Sequence, residues 1–102
     1  MTFTVLAWWR AQRGCGTELE PLLATMQQSA RKEPGCHEYE VHRSQDDPDT
    51  FLLYEVYRDA DAYAAHAASE IFVTVGKEQA MPLLEERRRE FHTRLQPTDG
   101  EA

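Results

Sequence analysis

The sequence predicts one α+β domain with the element order β-α-β-β-α-β. Three observations carry this. Four stretches alternate with a period of two, two stretches repeat apolar residues at helical spacing, and turn-forming residues separate them in that order. The chain has 102 residues, the length of one domain with a thin core. Apolar residues make up 41% of it, too many for a disordered chain, and 28% are charged, with no run of about 18 apolar residues to span a membrane.

The first strand, over 3–10, places Phe3, Val5, Ala7 and Trp9 on one face and Leu6 and Trp8 on the other, so neither face is polar. The glycines of Gln12-Arg13-Gly14-Cys15-Gly16 mark a loop. Over 17–32, Leu19, Leu22, Leu23, Met26 and Ala30 form the stripe of an amphipathic helix. Thr17 and Glu20 have capping-box spacing; alternatively, Pro21 takes the first helical position with Glu20 flanking it.

Glu33-Pro34-Gly35 stops that helix and turns the chain into a second strand over 36–44. There Tyr39 and Val41 share one face, and Cys36, Glu38, Glu40 and His42 the other. Gln45-Asp46-Asp47-Pro48-Asp49 makes a hairpin loop into a third strand over 50–58, where Leu52, Tyr54 and Val56 alternate with Phe51, Leu53, Glu55 and Tyr57. Asp59 is a good N-cap for a second helix running to about Ser69, and Asp61 suits its first turn. A further helical segment covers about 70–80 and ends at Pro82. Residues 88–95 form the fourth strand, with Phe91, Thr93 and Leu95 against Arg88, Glu90, His92 and Arg94. The domain is expected over 1–96, with a flexible C-terminal tail over 97–102.

This is the split βαβ order of the ferredoxin-like fold, one four-stranded antiparallel sheet with both helices on one face. The strands carry large apolar groups on both faces, so the second face also needs a cover. A second copy of the chain is expected there, as a homodimer through the sheet, giving a dimeric α+β barrel.

The net charge of −7 opposes nucleic-acid binding. The basic run Arg87-Arg88-Arg89 lies between Glu86 and Glu90 and reads as a solvated ladder at a strand edge. The N-terminal residues lack a basic signal-peptide region and read as the first strand, so no membrane association is expected and the cytoplasm is the expected location. Cys15 and Cys36 lack metal-site spacing and are expected as free thiols in a reducing compartment.

Two stretches carry a family resemblance: Glu33-Pro34-Gly35-Cys36-His37-Glu38-Tyr39-Glu40-Val41, and Phe51–Asp59 leading into Ala65-His66 and Ser69–Phe72. Together, over about residues 3–95, they resemble the antibiotic biosynthesis monooxygenase (ABM) family of small dimeric α+β-barrel proteins. The resemblance implies the fold more than the reaction, because the family holds quinone-forming oxygenases, haem-degrading enzymes and isomerases of small signal molecules. The haem-degrading branch resembles this chain less. Its members have Trp where this chain has His66, and a haem-ligating His seven residues after the match to Ser69, where this chain has Gly76. His in the Ala-His-x-x-Ser segment is similar to the quinol-oxidising and isomerising members.

His66 is the leading catalytic candidate. It shares a helix face with Ala62, Ser69 and Val73, small neighbours that leave room for a ligand, and imidazole titrates near neutral pH. The structural alternative is a histidine bonded to backbone at a helix end. Tyr54 and Glu55 are further catalytic candidates on opposite sheet faces. Glu55 could orient His66 or pair with an arginine across the dimer, and Tyr54 could instead pack in the core. Trp8 and Trp9 face opposite ways, one to the ligand and one to the interface, and Tyr39, Phe72 and Ser69 complete the candidate substrate contacts. His37, His42 and His92 have no metal spacing, so no metal is expected.

The sequence holds no nucleotide, flavin or P-loop motif, and no cofactor is expected. The expected function is a cofactor-independent monooxygenase that oxidises a small hydroquinone- or anthrone-like aromatic ligand with O2, with His66 as base. The rivals are a small-molecule isomerase using the same pocket and a non-enzymatic dimeric ligand-binding module.

Overall fold

The structure, a computed structural model, describes residues 1–95. The expected domain end at residue 96 and the expected tail over 97–102 lie outside the described residues. The elements are β1 (Phe3–Ala11), α1 (Gly16–Ala30), β2 (Cys36–Arg43), β3 (Thr50–Tyr57), α2 (Ala60–Ala67), a π-helical segment (Phe72–Ala80), a single 3-10 turn (Met81–Leu83) and β4 (Leu84–His92). The four strands form one antiparallel sheet in the order β2-β3-β1-β4. This is the expected ferredoxin-like arrangement. No helix among the described residues is long and apolar enough to cross a membrane.

β1 pairs with β3 on one side and with the edge strand β4 on the other, so its alternation sets the two sides of the sheet. Val5, Ala7, Trp9 and Ala11 are buried under the helices. The register aligns them with Phe51, Leu53 and Glu55 of β3 and with Arg87, Arg89 and Phe91 of β4, which therefore share that side. Leu6 and Trp8 point to the other, open face with Leu52 and Tyr54, and all four are only half-buried. Leu19, Leu23, Met26 and Ala30 of α1 close the core from above.

Three boundaries differ from expectation. The capping box of α1 does not form: Cys15 takes the N-cap position and no side chain of the helix caps it. Asp49 in the β2–β3 loop does so instead, accepting hydrogen bonds from Gly14 N at 3.0 Å and Gly16 N at 2.8 Å. Gly16 is required there, since a Cβ would stand 2.4 Å from the Pro48 carbonyl oxygen. Pro21 lies inside the helix rather than at its first position, which denies the Thr17 carbonyl its helical donor.

β4 begins at Leu84, before the expected residue 88, and ends at His92. Pro82 ends the helical turn, and pairing with β1 starts at once, at Ala11–Leu84. The early residues of β4 are charged and gave no apolar alternation to read. Each arginine of the basic run instead lies on an aromatic ring: Arg87 over Trp9 at 5.2 Å, Arg88 over Trp8 at 3.9 Å and Arg89 over Phe91 at 5.4 Å.

Asp59 caps α2 as expected, its Oδ1 accepting from Ala62 N at 2.8 Å. Ser69 Oγ then accepts from Phe72 N at 3.2 Å and starts the π-helical segment. At the outer edge of β2, side chains of α1 and of its C-cap residue satisfy the backbone. Gln27 Oε1 accepts from Val41 N at 2.8 Å, and Arg31 Nε donates to the Tyr39 carbonyl at 2.9 Å.

Asp49→Ala removes both acceptors at the start of α1. Urea denaturation should show a loss of about 1–2 kcal/mol, the usual cost of a lost helix cap. An unchanged midpoint would show that the loop carboxylate does not hold the helix.

Candidate functional site

His66 lies in the last turn of α2 and is 4% exposed. Its ring packs among Tyr39, Tyr57 and Phe72 at centroid distances of 5.5, 5.4 and 5.3 Å. Its Nδ1 lies 3.0 Å from Glu33 Oε1 and 3.2 Å from Oε2. The chain folds to permit this contact through the turn after α1. Cys36 N donates to the Glu33 carbonyl and Arg58 N to the Gly35 carbonyl, which ties the turn to the end of β3. Gly35 lets the turn press on α2, since a Cβ there would stand 2.5 Å from Ala62 Cβ.

A carboxylate facing Nδ1 selects the tautomer that donates from Nδ1 and leaves the lone pair on Nε2. Burial holds the His66 pKa below its usual 6.5, with Glu33 partly opposing the shift. The ring is therefore neutral at pH 7, and a neutral imidazole is the form that accepts a proton.

His66 and Glu33 stand on the wall of a cleft of about 310 Å³. Pro34, Gly35, Ala62, Ala65 and Ser69 make much of the rest of the wall, and Arg58 and Asp61 add charge. That volume is at the small end of organic-ligand sites.

A second buried polar group lies on the same side of the sheet. Glu55 is 5% exposed and accepts a hydrogen bond of 2.6 Å from the Tyr57 hydroxyl. Burial pushes its pKa up to about 7, against the Tyr57 hydrogen bond and the charges of Arg87 and Arg89. Tyr63, which packs on Tyr57 at 5.3 Å, accepts from Arg89 Nη1 at 2.7 Å.

A family profile described as antibiotic biosynthesis monooxygenase matches residues 2–78. The chain belongs to the antibiotic biosynthesis monooxygenase family. Solved structures similar to this ABM chain support the fold. PA3566 from Pseudomonas aeruginosa is 27% identical with a TM-score of 0.88, covering 93% of this chain and 95% of its own. Rv0793 from Mycobacterium tuberculosis is 24% identical with a TM-score of 0.86, covering 96% and 99%. A variant of SnoaB, a cofactor-independent oxygenase from Streptomyces nogalater, is 18% identical with a TM-score of 0.80, covering 96% and 97%. No curated protein sequence matches the chain.

In this ABM domain the expected site residues divide into three groups. His66 and Ser69 line the cleft, with the rings of Tyr39 and Phe72 against the imidazole. Glu55 and Trp9 lie on the same side of the sheet, but Glu55 bonds Tyr57 and not His66. Trp8 and Tyr54 lie on the open face, in separate depressions beside Arg88 and beside Leu6, and do not meet His66. Glu33, and not Glu55, makes the hydrogen bond to His66. Its signal was its place just before Pro34-Gly35, where it reads as a helix stop. Among the described residues, no group of three His, Cys, Asp or Glu could hold a metal.

Glu55 makes stability pH-dependent in a defined sense. Its folded pKa of about 7 exceeds the ordinary 4.5, so the folded state binds the extra proton between those values. Its favourable contribution is complete below the ordinary value and is lost as pH rises through about 7. Glu55→Gln keeps an acceptor for Tyr57 without the charge. Urea unfolding should show wild type losing ~1–3 kcal/mol relative to this variant between about pH 5 and pH 8. A constant difference would place the carboxylate in a more solvated setting.

Proposed function

We propose that this protein is a cofactor-independent monooxygenase acting on a small, electron-rich aromatic of the hydroquinone or anthrone kind. The observation that carries the reading is the buried His66–Glu33 pair on the wall of an organic-sized cleft. The base takes the acidic proton of the bound aromatic at Nε2, and Glu33 stabilises the imidazolium that results. The resulting anion is electron-rich enough to reduce O2 directly. For an anthrone-like CH2, one oxygen atom becomes the new carbonyl and the other leaves as water with the two hydrogens, so the substrate supplies all four electrons that O2 takes up. Family membership supports the oxygenase class, and the fold likeness to SnoaB agrees with it. Free Cys15 and Cys36 suit a reducing compartment such as the cytoplasm.

The protein should consume O2 with an anthrone-type substrate and no added cofactor. His66→Ala should lower the rate at least about tenfold, within the range for a lost general base. Glu33→Gln should give a smaller loss. Unchanged turnover in a folded His66→Ala protein removes His66 from the mechanism. Solvent deuterium entering the substrate without O2 uptake would instead mark an isomerase, and saturable binding without turnover a ligand-binding module.

The same reading includes a homodimer through the open face. Leu6, Trp8, Leu52 and Tyr54 form an apolar, half-buried surface there, of the kind that a second copy covers. Light scattering at micromolar concentration should give about twice the chain mass of 11.8 kDa. A clean monomer would overturn the dimer.

A further inference from the structure

The cleft beside His66 has two polar ends and an apolar middle. Its walls are the turn after α1 and one face of α2. At one end Glu33 meets His66 at 3.0 Å. At the other, the turn reaches the start of α2, where a Cβ on Gly35 would stand 2.5 Å from Ala62 Cβ and 3.7 Å from Arg58 Nη2. Arg58 and Asp61 line this second end, and both are exposed. Between the ends lie Pro34, Ala62 and Ala65, whose side chains carry no donor or acceptor. Within α2 the chain rises about 7.5 Å along the axis from Asp61 to His66, so the two ends stand a pair of fused rings apart.

The charges at the second end decide what it can hold. Arg58 has a long contact to a carboxylate, Nε to Asp59 Oδ2 at 3.4 Å, and the other oxygen of Asp59 caps α2. This one guanidinium therefore stands among the carboxylates of Asp59 and Asp61, with Glu33 further along the wall. A ligand carboxylate would meet one cation and three anions there, and would be repelled. An ammonium would offer Arg58 no acceptor. A hydroxyl accepts from Arg58, donates to Asp61 and brings no charge of its own.

We propose that Arg58 and Asp61 recognise a neutral hydroxyl on the ring of the substrate farthest from His66. The substrate class is then a fused aromatic with its acidic group at His66, its rings against Pro34, Ala62 and Ala65, and a hydroxyl at the mouth. This deepens the oxygenase reading and rests on it for which end reacts.

The test titrates the full chain, labelled with 15N and kept under argon, with three probes. They are 2,6-dihydroxynaphthalene, 2-naphthol and 6-hydroxy-2-naphthoate, followed by the amide shifts of Ala62 and Ala65. The diol should bind at least about fivefold more tightly than 2-naphthol, and the naphthoate at least about fivefold more weakly than the diol. Arg58→Gln and Asp61→Ala, both exposed changes, should each cut the advantage of the diol over 2-naphthol to about twofold or less. Equal binding of the diol and 2-naphthol, tighter binding of the naphthoate than of the diol, an undiminished preference in both variants, or no saturable shift with any probe would each overturn the proposal. The titrations need no turnover, so the two readings fail separately. O2 uptake on an anthrone by a chain without the diol preference removes this orientation alone. A kept preference without O2 uptake removes the oxygenase and leaves the hydroxyl recognition standing.

Discussion

The register of β1 is the constraint from which the rest of the molecule follows. It pairs with β3 on one side and β4 on the other, so its period of two is imposed on both neighbours. The same alternation sends Trp9 under the helices and Trp8 to the open face. A slip by one residue would exchange the two tryptophans and turn Val5 and Ala7 out of the core onto the open face. The arginines of β4 are fixed by the same register, each against the aromatic that β1 or β4 presents.

Local signals in the sequence proved reliable where the partners were close in the chain. The Asp59 cap, the alternation of the first three strands and the helical stripe of Leu19, Leu23, Met26 and Ala30 all depend on residues a few positions apart. Asp49 and Glu33 escaped because each acts on a group 33 residues away. Nothing near Thr17 announces that a loop carboxylate will displace its capping box. Nothing near His66 announces that a turn residue will reach its ring. β4 starts four residues before the expected residue 88 because its first half is charged and shows no apolar alternation. An edge strand draws its position from backbone pairing and needs no apolar alternation there.

The helix-facing layer contains two acid–base arrangements with opposite tendencies. Burial keeps His66 neutral and ready to accept a proton, although it stands beside a carboxylate. Burial also keeps Glu55 close to neutrality, with its pKa about 7, despite two arginines nearby. In both cases desolvation outweighs the local charge, the expected result for groups this far from water. The aromatic rings of Tyr39, Tyr57, Tyr63 and Phe72 produce this setting. They surround the imidazole and exclude the solvent that would otherwise stabilise charge.

The side chains of Gln27 and Arg31 give β2 a property beyond their local bonds. An edge strand ordinarily offers free amides and carbonyls on which another polypeptide can template itself. Here one helix and its C-cap residue fill two of those positions with an amide and a guanidinium group. Growth of the sheet outward from this flank, whether into a continuous intermolecular sheet or a fibril, would first have to strip away both contacts. The fold is thereby steered away from ribbon-like polymerisation along that border.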